Sequence, residues 1–222
     1  MGKLFMQALS KFLLGLVAVG ILVFVPAGTV CYPGGLLLMG VLFVPMFAVG
    51  AVLLVKRPAL LEKRLKSREN RVKQDKMVKL SALMFLMGFV LAGLDFRFGW
   101  TQLPRWVSWL AAAVLLVSYA AYAEVLRENA YLARTIEIQQ GQKLVDTGLY
   151  GVVRHPMYAA TAALFLSMPL VLGSAAAFAV FLSYFPLIAA RIRDEEQLLE
   201  QELEGYAAYK NRVRYRLVPF IW

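Results

Sequence analysis

The sequence predicts an all-α, polytopic transmembrane protein of about six membrane helices, including a C-terminal helical hairpin and ending in a cytosolic C-terminal helix. Three observations predict it. Apolar residues make up 60% of the 222-residue chain. They gather into runs of roughly 18 residues or more with almost no charge, enough to cross a hydrocarbon core about 30 Å thick. The positive charges, net +10, cluster between those runs, as in cytoplasmic membrane loops. No basic stripe alternates with exposed aromatics, which argues against nucleic acid as a partner.

The first span is expected over about Phe12 to Val30, an uncleaved membrane helix because no small-x-small cleavage site follows it. Tyr32-Pro33-Gly34-Gly35 reads as a turn, and a second span follows over about Leu36 to Val55. The loop Lys56–Lys79 carries ten Lys/Arg against three acids. Its Leu60, Leu61 and Leu65 suggest an interfacial amphipathic segment that meets anionic headgroups or guides an anionic substrate. A short third span over about Leu80 to Leu94 and a fourth over about Val107 to Ala123 flank Trp100 and Trp106, aromatics suited to the interface. The last apolar block, Met157 to Ala190, is too long for one helix. Its break near Gly173-Ser174 predicts a tight hairpin.

Two segments follow from this order: N-terminal membrane helices over 1–127, containing the basic loop 56–79, and a region over 128–222 containing the hairpin 157–190. With a cytoplasmic N-terminus, six spans return the basic loop, the segment Glu124–Pro156 and the C-terminus to one face. All Lys/Arg except Arg97 and Arg105 then lie on that face, which identifies it as cytosolic and the membrane as the cell's inner one. Cys31 is the only cysteine, so neither an intramolecular disulfide nor a thiolate metal site is expected, and no metal ligand set is read elsewhere.

Chemistry-bearing residues concentrate on that face. In the segment from Gly141 to Tyr158, Asp146-Thr147-Gly148 reads as a turn and Pro156 as the first turn of a helix, which puts the lone histidine, His155, at a helix start. Unpaired backbone N–H groups there favour an anionic ligand group, although a simple capping role suits His155 equally. In Arg191-Ile192-Arg193-Asp194-Glu195-Glu196, Arg191 and Glu195 lie four apart on one helix face. They offer a guanidinium fork and a carboxylate, or else form an ordinary solvated helix end. Tyr206 and Tyr209, three apart, suit a membrane interface or a stacking wall.

The ordered set GLYGVVRHPMY, an apolar hairpin, RIRDEEQLL, GYAAYKNRV and a closing YRLVPFIW resembles the isoprenylcysteine carboxyl methyltransferase family and its bacterial relatives, over about Glu137 to Trp222. The resemblance implies an S-adenosyl-L-methionine-dependent methyltransferase. Its cofactor would meet Gln142, Lys143, Leu144, Val145, Tyr150, His155, Pro156, Met157, Tyr158 and Glu195, and Arg191 would face the methyl acceptor. Gln142 stands where the eukaryotic enzymes have a histidine, and an upstream contact falls on Glu137 or Gln139. Arg191 and Glu195 are thus the catalytic candidates. The acceptor would be an amphiphile arriving laterally from membrane lipids: the carboxylate of a prenylated cysteine, or a related small molecule or lipid. A carboxylate needs no general base, whereas an amine must lose a proton, to Glu195 or Glu196. Two rival readings are a membrane sterol-type reductase using a nicotinamide cofactor and a non-catalytic scaffold. Neither the oligomeric state nor a role for the first four spans beyond support can be read from the residues.

Overall fold

The computed structural model describes residues 2–65, 72–129, 131–132, 138 and 141–222, so Glu137 and Gln139 lie outside the described residues. The elements are helical throughout: α1 (Gly2–Ala27), α2 (Pro33–Lys56), α3 (Pro58–Leu65), α4 (Val72–Phe98), α5 (Arg105–Glu128), a 3-10 turn at Gly148–Gly151, α6 (Pro156–Val171), α7 (Ala175–Phe181), α8 (Tyr184–Glu202) and α9 (Tyr206–Arg212). Among the described residues, five helical stretches are long and apolar enough to cross a membrane, the last running from Ala175 to Glu202 through α7 and α8. The shorter apolar α6 lies among them. The protein is an integral membrane protein with the helical architecture expected.

Two local expectations are corrected. Tyr32-Pro33-Gly34-Gly35 is not a free turn: Pro33 opens α2 behind Tyr32, since its fixed φ suits a first helical turn. Gly34 and Gly35 lie inside the helix because their neighbours leave no room for a side chain. A Cβ at Gly34 would stand 2.9 Å from the Leu172 carbonyl oxygen, and one at Gly35 2.8 Å from the Phe24 ring. The third span belongs to a 27-residue helix that begins at Val72 rather than near Leu80. Its polar first turns hold helical form, with Asp75 and Lys79 paired at 2.6 Å one turn apart. Loss of apolarity marked where lipid ends, not where the helix does.

The helices close on one buried cluster drawn from both halves of the chain, from Val23 in α1 to Leu217 after α9. α5 packs broadly on α6, α1 on α4, and α4 on α7. Small residues make the close approaches possible. A Cβ at Gly93 would sit 2.6 Å from the Val23 carbonyl oxygen, and one at Gly88 2.3 Å from the Phe181 ring.

The hairpin breaks where the sequence placed it. Gly173 takes φ +76°, and the Ser174 hydroxyl accepts from Ala177 N at 3.0 Å to cap α7. Leu182-Ser183 add a second break before α8. At this end of the bundle Asp95 is 1% exposed. Its carboxylate accepts from Thr101 N at 2.7 Å, from the Thr101 hydroxyl at 2.5 Å and from the Ser174 hydroxyl. The clasp ties α4 to the start of α7. The opposite end of α6, where Pro156 begins it, is the end that carries the site.

Candidate active site

His155 precedes α6 and Pro156 occupies its first turn, as the sequence indicated. The chain before them is held from below by the C-terminal tail. Arg154 N and His155 N donate to the carbonyls of Tyr215 and Arg216, both at 2.9 Å. Under this short pairing lies a buried charge cluster. Glu196, 3% exposed, accepts from Arg154 Nε at 2.7 Å and from Arg216 Nε at 2.9 Å. His155 Nε2 lies 3.2 Å from the same carboxylate. Arg154 also donates from Nη1 to the Val213 and Arg214 carbonyls, at 2.7 and 2.8 Å. Glu196 is therefore not the base for an amine acceptor that the sequence allowed. Successive helical residues point about 100° apart, so Glu195 faces a cavity while Glu196 faces Arg154.

The tail secures a second wall. Tyr206 and Tyr209, each 3% exposed, pack with Val213 against Leu144, Leu199 and Leu203. The Tyr209 hydroxyl donates to the Tyr150 carbonyl at 2.7 Å, and Arg212 pairs with Asp146. Asn129 Nδ2 donates to the Tyr150 hydroxyl at 2.9 Å. Burial pushes the phenols of Tyr150, Tyr206 and Tyr209 well up, so all three stay protonated across ordinary pH. Among the described residues, the Tyr206 hydroxyl is a buried side-chain group with no hydrogen-bond partner.

These walls enclose a cleft that gathers all ten residues named from the resemblance as cofactor contacts: Gln142, Lys143, Leu144, Val145, Tyr150, His155, Pro156, Met157, Tyr158 and Glu195. Asn129, Tyr206 and Tyr209 line it too. Its volume is about 80 Å³.

A larger cavity of about 350 Å³ lies beside it, walled by α4, α6 and α8. Most of its lining is apolar, including Met77, Val78, Phe85, Phe165, Leu187 and Ile188, with Arg191 and Arg64 as its charged members. Met157 and Tyr158 line both cavities and form the partition between them. The Tyr158 hydroxyl donates to Glu195 Oε2 at 2.5 Å and accepts from Arg191 Nε at 3.0 Å. Arg191 and Glu195 thus meet through this hydroxyl, each on its own side. Sequence reasoning named both, but not Arg154, Asn129 or the contribution of α3, α4 and α5. Only the buried fold reveals those.

Residues 105–204 match the family model described as phospholipid methyltransferase. Over 91 residues the chain is 32% identical to a Delta(14)-sterol reductase of Mus musculus, a match covering 40% of this chain and 22% of the reductase. The chain thus aligns with about a fifth of the length of that curated relative. Among solved structures, the eukaryotic intramembrane Ras methyltransferase, an isoprenylcysteine carboxyl methyltransferase, superposes with a TM-score of 0.58 at 18% identity, over 86% of this chain and 69% of that one. The resemblance read from the sequence holds: the fold is like that of the isoprenylcysteine carboxyl methyltransferases, and a methyltransferase family model covers α5 to α8.

Proposed function

We propose that this protein transfers a methyl group from S-adenosylmethionine to an amphiphilic acceptor at the cytosolic face of the membrane. The observation that carries the reading is the pair of adjoining cavities, one with mixed polar and aromatic walls, one largely apolar, which share Met157 and Tyr158 among the described residues of their lining. The cleft residues fit the cofactor. The orphaned Tyr206 hydroxyl, Gln142, Asn129 and Glu195 offer the donors and acceptors that ribose and amino-acid groups need, and the tyrosine faces suit a purine. When bound, S-adenosylmethionine supplies a methyl group on a positively charged sulfur.

The chain's own contribution is positioning and exclusion of water. Glu195 holds the cofactor side and Arg191 orients the acceptor, with the Tyr158 hydroxyl fixing both. Holding two reactants at attack distance is worth roughly 7–11 kcal/mol of barrier, and a carboxylate acceptor, already deprotonated, has no proton for a general base to take. The favoured acceptor class is the carboxylate of a prenylated cysteine or a related lipid-like molecule, whose chain enters the larger cavity from the bilayer.

Calorimetric titration of S-adenosylmethionine and S-adenosylhomocysteine into detergent-purified protein tests this. Binding is expected for both and to weaken at least tenfold in Glu195→Ala. The match to a sterol reductase calls for a parallel titration with NADPH. Binding of NADPH alone would transfer the cleft to a reductase.

A further inference from the structure

We propose that Asn129 is a positioning residue for the cofactor: by donating to the Tyr150 hydroxyl, it commits that hydroxyl to give its own hydrogen to an acceptor atom of the ligand in the cleft. This rests on the methyltransferase reading and deepens it. It adds a residue that the resemblance did not name and fixes the direction of one hydrogen bond.

Asn129 caps the C-terminus of α5, its N–H donating to the Val125 carbonyl at 3.0 Å. Both ends of its side-chain amide are engaged. Tyr131 N donates to Asn129 Oδ1 at 2.9 Å. A backbone N–H bonds only to an acceptor, so this contact fixes which end of the amide is oxygen. Nδ2 is then the end that faces Tyr150, and it donates to the phenol oxygen at 2.9 Å.

Tyr150 is held from three other directions. Its N–H donates to the Thr147 carbonyl at 2.9 Å, and its carbonyl accepts from the Tyr209 hydroxyl at 2.7 Å. Next to it, Leu149 N donates to Glu128 Oε2 at 3.2 Å. Glu128 and Asn129, adjacent at the end of α5, thus grip adjacent residues of the 3-10 turn. The Tyr150 side chain is buried and lines the cleft.

A phenol carries one hydrogen to donate. With its oxygen engaged by Asn129, the Tyr150 hydroxyl keeps that hydrogen, and among the described residues nothing accepts it. A buried donor without an acceptor is costly, and the cleft is where one can be met. The Tyr206 hydroxyl, with no partner at all, is able to donate or accept. Tyr150 is committed to donating. S-adenosylmethionine offers acceptors of two kinds, the carboxylate of its amino-acid end and the oxygen and nitrogen atoms of its adenosine.

The test measures S-adenosylhomocysteine binding to the full chain in detergent by calorimetry, and melting of the ligand-free protein, for wild type, Asn129→Asp, Tyr150→Phe and the double variant. Aspartate keeps the acceptor for Tyr131 N but replaces the amide donor with a second acceptor, which draws the Tyr150 hydrogen away from the cleft. Asn129→Asp and Tyr150→Phe are each expected to weaken binding about five- to tenfold, the worth of one hydrogen bond. The ligand-free melting temperature of Asn129→Asp should hold, which a merely structural role would not allow. In the Tyr150→Phe background the aspartate should cost no more than twofold, because the hydroxyl it acts through is gone. A direct contact of Asn129 with the ligand, or the added charge alone, would cost the same in both backgrounds. Asn129→Ala, which frees the hydroxyl to turn, should lose about threefold and serves in the same cycle if the aspartate variant folds poorly. 5′-Methylthioadenosine, which lacks the amino-acid group, locates the acceptor: a loss shared by both ligands puts it on the adenosine, and a loss confined to S-adenosylhomocysteine puts it on the carboxylate. Affinity within twofold of wild type in the Asn129 variants or in Tyr150→Phe, or an undiminished Asn129 effect in the Tyr150→Phe background, overturns the proposal alone. Absence of S-adenosylhomocysteine binding to wild type removes the methyltransferase reading and the proposal with it.

Discussion

Neighbouring glutamates with opposite duties provide the sharpest check on the site. Glu196→Ala leaves the Arg154 guanidinium, whose side chain is 5% exposed, without its carboxylate. Removing one member of a buried pair costs about 3–5 kcal/mol. The Val213 and Arg214 carbonyls still accept from Arg154 Nη1, which places the loss at the lower end, about 3 kcal/mol. At about 2–4 °C per kcal/mol for a chain of this size, the melting temperature should fall by about 6–12 °C. Glu195→Ala removes one hydrogen bond to Tyr158 beside a cavity, worth about 1 kcal/mol. Its melting temperature should drop by no more than about 4 °C, while S-adenosylhomocysteine affinity falls at least tenfold. Both variants are compared in the same detergent, by intrinsic tryptophan fluorescence during heating and by calorimetry at a temperature where each is folded. Glu196→Gln, which keeps a neutral acceptor for Arg154, should lie between wild type and alanine in stability. Equal thermal losses for the two alanine variants, or a larger loss for Glu195→Ala, would refute the division of labour drawn from the geometry.

Three other outcomes are expected. Tyr206→Phe removes a buried hydroxyl that lacks a partner. The ligand-free melting temperature should hold or rise, while S-adenosylhomocysteine binding weakens about three- to tenfold, the worth of one hydrogen bond; calorimetry and melting on one sample read both. Asp95→Asn weakens the clasp to Thr101 and Ser174 and should cost about 2 kcal/mol. It lies at the far end of α6, so cofactor affinity measured on folded protein should not change. Gly93→Ala forces a methyl to within 2.6 Å of the Val23 carbonyl oxygen and should destabilise by about 1–3 kcal/mol, seen as a lower melting temperature.

The membrane fold was legible because apolar runs record contact with lipid, and contact with lipid is most of what the outer helices do. Gly173-Ser174 announced the hairpin break through residue types that end one helix and cap the next. The ends of α4 were not legible. Its first turns are polar yet helical, and hydropathy cannot separate a helix leaving the bilayer from a helix stopping. Gly34 and Gly35 misled for a related reason. A glycine needed for close helix contact looks, in one sequence, the same as a glycine needed for a turn.

The site divides along similar lines. Arg191 and Glu195 could be named together because their four-residue spacing is local, and the cleft residues could be named because their order resembles a family. Glu196 was misjudged because what distinguishes it from Glu195 is not local: Arg154 lies 42 residues away in sequence, and Arg216 closes the cluster from the tail. That cluster accounts for a feature hydropathy left without a purpose, the closing YRLVPFIW. Arg216 stacks on Trp222 at 5.3 Å, and Leu217 N donates to the Trp222 carbonyl at 2.9 Å, so the tail folds on itself. It then presents the Tyr215 and Arg216 carbonyls to Arg154 and His155. Those two residues lead directly into Pro156, Met157 and Tyr158. The last residues thereby brace the start of α6, which leads into Met157 and Tyr158, while the Glu196 carboxylate is engaged by Arg154 and Arg216.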